Sequence, residues 1–307
     1  MRAQFASRPA AIPRVWKAYI NLLRSPGASE YLMKLLPRIS AVVSLVVLGG
    51  GLLALRSGAQ WYGSSPFAPV SPEQSHEKAE FSWSRLRYTA VASSFGGGYG
   101  YGFGYGFGRG SWSQDYPKAD RQFLLALRRL TRVNARSTEQ VVDLDTDDIF
   151  NYPWVYAVQV ENWTFTPPEA KRLHDYLLKG GFLMVDDFHG TADWESFMNG
   201  MRMVFPDRPI EDLNNNDEIF HVLYDLGQRF QVPGEQYVNT GRTYEKDGYV
   251  PKWRAIRDDK GRIMVAICHN MHLGDAWEWA DSPEYPERFA SLAFRLGINY
   301  VIYGMTH

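Results

Sequence analysis

The sequence predicts an α/β domain in three layers, with helices on both faces of a doubly wound, mostly parallel sheet. Three observations predict it: a helix with complete end signals that runs straight into an apolar strand, alternating strand and helix periods through residues 80–307, and a hairpin late in the chain. The helix starts at Thr166-Pro167-Pro168-Glu169, where threonine caps, proline occupies the first helical position and glutamate completes a capping box. Ala170, Leu173 and Leu177 form its inward stripe, and Gly180-Gly181 stops it. Phe182-Leu183-Met184-Val185 follows at once, the continuous apolar run of a strand buried on both faces.

The remaining elements follow the same logic. Leu86, Tyr88 and Ala90 alternate with Arg85, Arg87 and Thr89, which reads as a strand with one face outward. Phe123, Leu124, Leu127 and Leu130 make a helical stripe, and residues 141–144 and 155–160 are short strands. A helix is expected near 191–204. Residues 253–258 and 262–268 form a hairpin about Asp259-Lys260-Gly261. A last helix begins near Pro286 and turns Phe289, Leu292, Ala293, Leu296 and Tyr300 inward.

Residues 1–38 form a basic segment with seven Lys or Arg against the single acid Glu30, leaving 26 basic and 33 acidic groups beyond it. A net-acidic domain without a basic face is not a nucleic-acid binder. The apolar run 39–55, set between Arg38 and Arg56, explains the basic head. Seventeen residues at about 1.5 Å each reach roughly 26 Å, the short end of a bilayer span. Two forms stay open: a single-pass membrane anchor over 39–56 with the basic head inside, or a secretory signal starting at Met33 and cut near Ala59. Either one puts the domain at 80–307 outside the cytoplasm, anchored to the membrane or secreted. Residues 57–79 read as a linker, and 95–110, with nine glycines and six aromatics, as a flexible loop. The lone Cys268 excludes internal disulfides and every multi-cysteine metal site.

From Tyr88 to His307 the chain resembles an uncharacterised bacterial family, domain of unknown function 4159. The stretches that carry the resemblance are Asp115-Tyr116-Pro117, residues 176–182 with Asp186-Asp187-Phe188, residues 205–210, His269-Asn270, the run Gly274-Asp275-Ala276-Trp277-Glu278-Trp279-Ala280-Asp281, and the C-terminal residues 296–307. The resemblance implies a class I glutamine-amidotransferase-like, flavodoxin-like sheet, and partner proteins in the cell envelope. Enzymes of that class are expected to carry a cysteine on an elbow after a central strand. Here the strand at 182–185 runs into Asp186-Asp187-Phe188-His189, so glutaminase activity is not expected.

In a doubly wound sheet, ligands bind at the carboxyl ends of the strands. Asp186, Asp187 and His189 follow one strand; His269, Asn270, His272 and Asp275 follow another, with Glu278 nearby. Together they are the candidate polar pocket. The competing reading makes these acids helix caps, with Asp187 capping the helix at 191–204. Cys268 and His269 are adjacent on a strand and face opposite ways, so they cannot pair as nucleophile and base. Trp277, Trp279 and Tyr285 read as packing over the last helix. The expected function is a non-catalytic envelope domain that binds a partner protein or small polar ligand and needs no cofactor. The alternative is a carboxylate and histidine hydrolase, which a divalent metal could assist.

Overall fold

The computed structural model describes residues 77–90 and 111–307. The expected anchor or signal at 39–56, most of the linker and the loop at 95–110 lie outside the described residues. Among the described residues no helix is long and apolar enough to cross a membrane.

The strands in chain order are β1 (Ser84–Arg87), β2 (Thr89–Ala90), β3 (Gln140–Asp143), β4 (Trp154–Val158), β5 (Trp163–Thr164), β6 (Phe182–Asp186), β7 (Glu211–Asp212), β8 (Lys252–Arg257) and β9 (Ile263–His269). The helices are α1 (Lys118–Leu130), α2 (Pro167–Leu178), α3 (Gly190–Val204), α4 (Gln236–Thr240), α5 (Leu273–Glu278) and α6 (Glu287–Thr306). Seven strands make one sheet in the order β3-β1-β4-β6-β9-β8-β7, and β2 pairs with β5 alone. β3, β1, β4, β6 and β9 are mutually parallel. β8 and β7 complete the sheet antiparallel to their neighbours. The fold is therefore mixed α/β with a mostly parallel seven-stranded sheet.

Side-chain alternation divides the core between two faces. Trp154, Tyr156 and Val158 of β4 and Phe182 and Met184 of β6 pack with α1 and α6. Val155, Ala157, Leu183 and Val185 pack with α2 and α3 on the other side. Helices on both faces explain why every residue of β4 and β6 is buried. The capping box of α2 is formed: the Thr166 amide donates to Glu169 Oε2 at 2.7 Å, and the Glu169 amide to Thr166 Oγ1 at 3.4 Å. Trp277 and Tyr285 pack in the core beside α6.

Three expectations change. Arg85 is fully buried rather than outward, because β1 is an interior strand and Asp120 of α1 neutralises the guanidinium. Leu130 is exposed, so the α1 stripe ends at Leu127. The late hairpin exists, but its second strand, β9, is also the fifth parallel strand, paired with β6.

Candidate functional site

The strand order turns back between β1 and β4, and the chain ends of β4, β6 and β9 open on the same edge. A cavity of about 280 Å³ lies there. Gln159 enters it just after β4, Asp187 and His189 after β6, and His272 and Asp275 after β9. Glu161, Asp193, Glu235, Glu245 and Lys246 supply the rest of its charge.

Asp187 is at its centre. Its backbone is left-handed, with φ at 59°, and its amide donates to the Met271 carbonyl at 3.1 Å. That turn aims Oδ1 at two imidazoles: His272 Nδ1 lies 2.8 Å away and His189 Nε2 3.4 Å away. The two rings stack with centroids 4.1 Å apart. His272 Nε2 is 3.4 Å from Glu245 Oε1, and its Nδ1 is 3.9 Å from Asp275 Oδ2. Asp187 and Asp275 thus face one imidazole in one cavity. Asp187 caps nothing. The amides at the start of α3 are taken by Asp193, which accepts from His189 N, by Asn270, which accepts from Gly190 N, and by Asp247, which accepts from Thr191 N.

Burial dominates the electrostatics and the charges then sort it. Burial alone would raise the Asp187 carboxyl, but His272 and His189 hold it far below the usual carboxylate range. Burial likewise opposes a charge on His272, and Asp187 with Glu245 outweighs it, so His272 titrates well above the ordinary imidazole range. His189 is pushed down, first by burial and then by His272. Glu161 rises to about 8 through burial and the charge of Asp187. Glu278 rises to about 7 through burial and Asp275. Glu245, by contrast, is held below the usual range, first by its bond with His272.

The other expected residues fall elsewhere. Asp186 lies beneath the cavity, fully buried, where Oδ2 accepts from the Leu273 and Gly274 amides and the Tyr156 hydroxyl at 2.7, 3.0 and 3.0 Å. His269 turns away, packed on Phe188 and Trp194, with Nε2 3.1 Å from the Gly190 carbonyl. Asn270 is structural: it ties Gly190 to Val250, accepting from one and donating to the other. Glu278 joins Asp115 and Asp275 in a second group of carboxylates whose oxygens lie within 4.8 Å of one another. Asp115, Glu161, Glu235, Glu245 and Lys246 were not expected. Asp115 had a signal in the Asp115-Tyr116-Pro117 stretch; Glu235, Glu245 and Lys246 lie in loops, and Glu161 in a single 3₁₀ turn, with no period to flag them. Cys268 is fully buried in the core, and burial pushes its thiol well up.

A family model described as Domain of unknown function (DUF4159) matches residues 101–305, two thirds of the chain. The chain belongs to that family. No curated protein compared with it matches. Every residue of both carboxylate groups and every ring of the DUF4159 cavity lies within the matched span.

Proposed function

We propose that this DUF4159 domain binds a small polar ligand at the carboxyl edge of its sheet, on an amidotransferase-like scaffold without glutaminase activity. One observation carries the reading. Of the five non-glycine residues with left-handed backbones among the described residues, three line the cavity: Gln159, Asp187 and Lys246. Such conformations cost about 1 kcal/mol or more each, and they persist where geometry is held for a purpose. The scaffold part of the proposal is supported by the parallel strands, whose order by chain position is that of flavodoxin-like sheets. Six carboxylates against Lys246 and two histidines line the cavity, so the ligand class is amine-bearing or metal-borne. Hydrolysis is the second reading, favoured by the row Asp187–His272–Glu245, in which an imidazole that keeps its proton between two carboxylates is placed as a general acid.

The test is a melting screen of the purified full chain against amines, amino acids, sugars and glutamine. A ligand at a hundred times its Kd adds about 2.7 kcal/mol, which raises Tm by roughly 5–10 °C for a domain this size. Asp275→Asn keeps an acceptor for the Glu235 amide and removes a charge that raises Asp115 and Glu278. The empty variant is therefore expected to be about 1 kcal/mol more stable and to lose the ligand shift. Ammonia release from glutamine, or a screen without a single shift, sinks the proposal.

We also propose that residues 39–55 carry the domain out of the cytoplasm. Alkaline phosphatase fused after residue 80 is then active; an inactive fusion of normal abundance reverses the topology.

A further inference from the structure

We propose that Asp187, His189 and His272 form a mononuclear site for a divalent transition-metal ion, with zinc the best fit. The proposal deepens the reading of this edge as a binding site and rests on it. One donor atom from each residue lies within 4.8 Å of the other two. All three residues are buried, at 5, 4 and 7% exposure. The decisive feature is how the two imidazoles converge on one carboxylate oxygen. His272 Nδ1 and His189 Nε2 lie 2.8 and 3.4 Å from Asp187 Oδ1, and the buried His189 Nδ1 has no partner among the described residues. The two rings stand against each other in one stack with centroids 4.1 Å apart, which brings both donor nitrogens to the same side of Asp187. A metal ion accepts one lone pair from each ring and the charge of Asp187 between them.

The backbone holds the donors before any ion arrives. The His272 amide donates to the Val232 carbonyl at 3.0 Å, at the start of α5. The His189 amide donates to Asp193 at 2.8 Å, and Asp187 is fixed in its left-handed turn. Glu245, 3.4 Å from His272 Nε2, stands where a carboxylate orients a metal-bound histidine through its other nitrogen. Two imidazole nitrogens and one carboxylate oxygen suit zinc and its borderline neighbours. Calcium and magnesium, which take oxygen ligands, are poorly served. Three protein ligands leave a coordination position open to the cavity, which is where an exchangeable polar ligand would bind.

The full chain, stripped with chelator, is titrated with Zn²⁺, Co²⁺, Mg²⁺ and Ca²⁺ by calorimetry, with Co²⁺ also followed by its visible absorption. The expected result is one equivalent of Zn²⁺ or Co²⁺ and no comparable uptake of Mg²⁺ or Ca²⁺. His189→Gln and His272→Gln each weaken binding about 100-fold or more, while His269→Gln, outside the cavity, leaves it unchanged. Circular dichroism reports whether each variant folds, and the wild-type stoichiometry decides if neither does. A folded wild type that takes up no Zn²⁺ or Co²⁺, uptake indifferent to His189→Gln, or a preference for Ca²⁺ overturns the proposal. An organic ligand that shifts melting in chelator, with no uptake of Zn²⁺ or Co²⁺, overturns the metal site and leaves the ligand site standing; metal uptake with no organic ligand does the reverse.

Discussion

Asp120→Ala is expected to destabilise the domain by about 3–5 kcal/mol, the cost of stranding one member of a buried ion pair. Arg85 and Asp120 are both fully buried. The Asp120 carboxylate accepts from Arg85 Nε at 3.1 Å, from Arg85 Nη2, and from the Trp83 indole. Two more bonds, to the Trp112 and Gln114 carbonyls at 3.4 and 3.3 Å, hold Nη1, but carbonyls supply no net charge. Alanine leaves a guanidinium in a core of Trp83, Trp154 and Tyr156. The pair itself need not stabilise the fold: apolar replacement of both partners is often neutral or better. Arg85→Met with Asp120→Leu should therefore recover most of the loss. Chemical denaturation of the three variants measures it, and an Asp120→Ala chain within 1 kcal/mol of wild type would show the pair to be dispensable.

Asp186→Ala carries the next largest effect, about 3 kcal/mol or more at pH 5, because three donors lose one acceptor at once. Two of them are the first amides of α5, so this carboxyl pins the helix that follows β9 to the end of β6. Asp186→Asn keeps a carbonyl oxygen for those donors and is expected to stay within about 1 kcal/mol. The alanine deficit also depends on pH. Burial, and then the charge of Asp187, pushes Asp186 up to about 7, above its ordinary value of about 3.9 in an unfolded chain. The folded chain thus holds an extra proton between those values. Wild-type stability from this group is full below about pH 4 and falls by about 1.4 kcal/mol per unit as pH rises to 7. Neither variant titrates there, so the deficit of Asp186→Ala narrows toward neutrality. Denaturation in metal-free buffer from pH 4.5 to 7.5 tests this; a deficit constant over that range contradicts the buried position of Asp186.

What could be read locally was read well. The box at Thr166–Glu169 and the apolar run at 182–185 needed only neighbours within a few residues, and both stand in the fold. Arg85 shows the limit. Its alternation with Leu86 looked like an outward face, and the partner that permits burial lies 35 residues later on α1. The candidate site was half legible. Asp187, His189, His272 and Asp275 line the cavity, while His269, three residues before His272, turns under α3. Glu161, Glu245 and Lys246 were invisible, since a residue in a loop or a single 3₁₀ turn has no periodicity to betray the direction it faces.

By itself the sequence determined the layer architecture, the strands buried on both faces, the sheet edge at which the polar residues gather and the absence of a cysteine after the strand at 182–186. Those properties follow from periods of 2 and 3.6 and from chemistry present or missing at one position. Only the tertiary structure decided that Asp187 faces two imidazoles instead of capping α3. That choice depends on one left-handed residue, held by a bond from its amide to the Met271 carbonyl, and on histidines delivered by β6 and β9. Their meeting is a fact of strand order, and strand order is fixed by packing between segments some 80 residues apart.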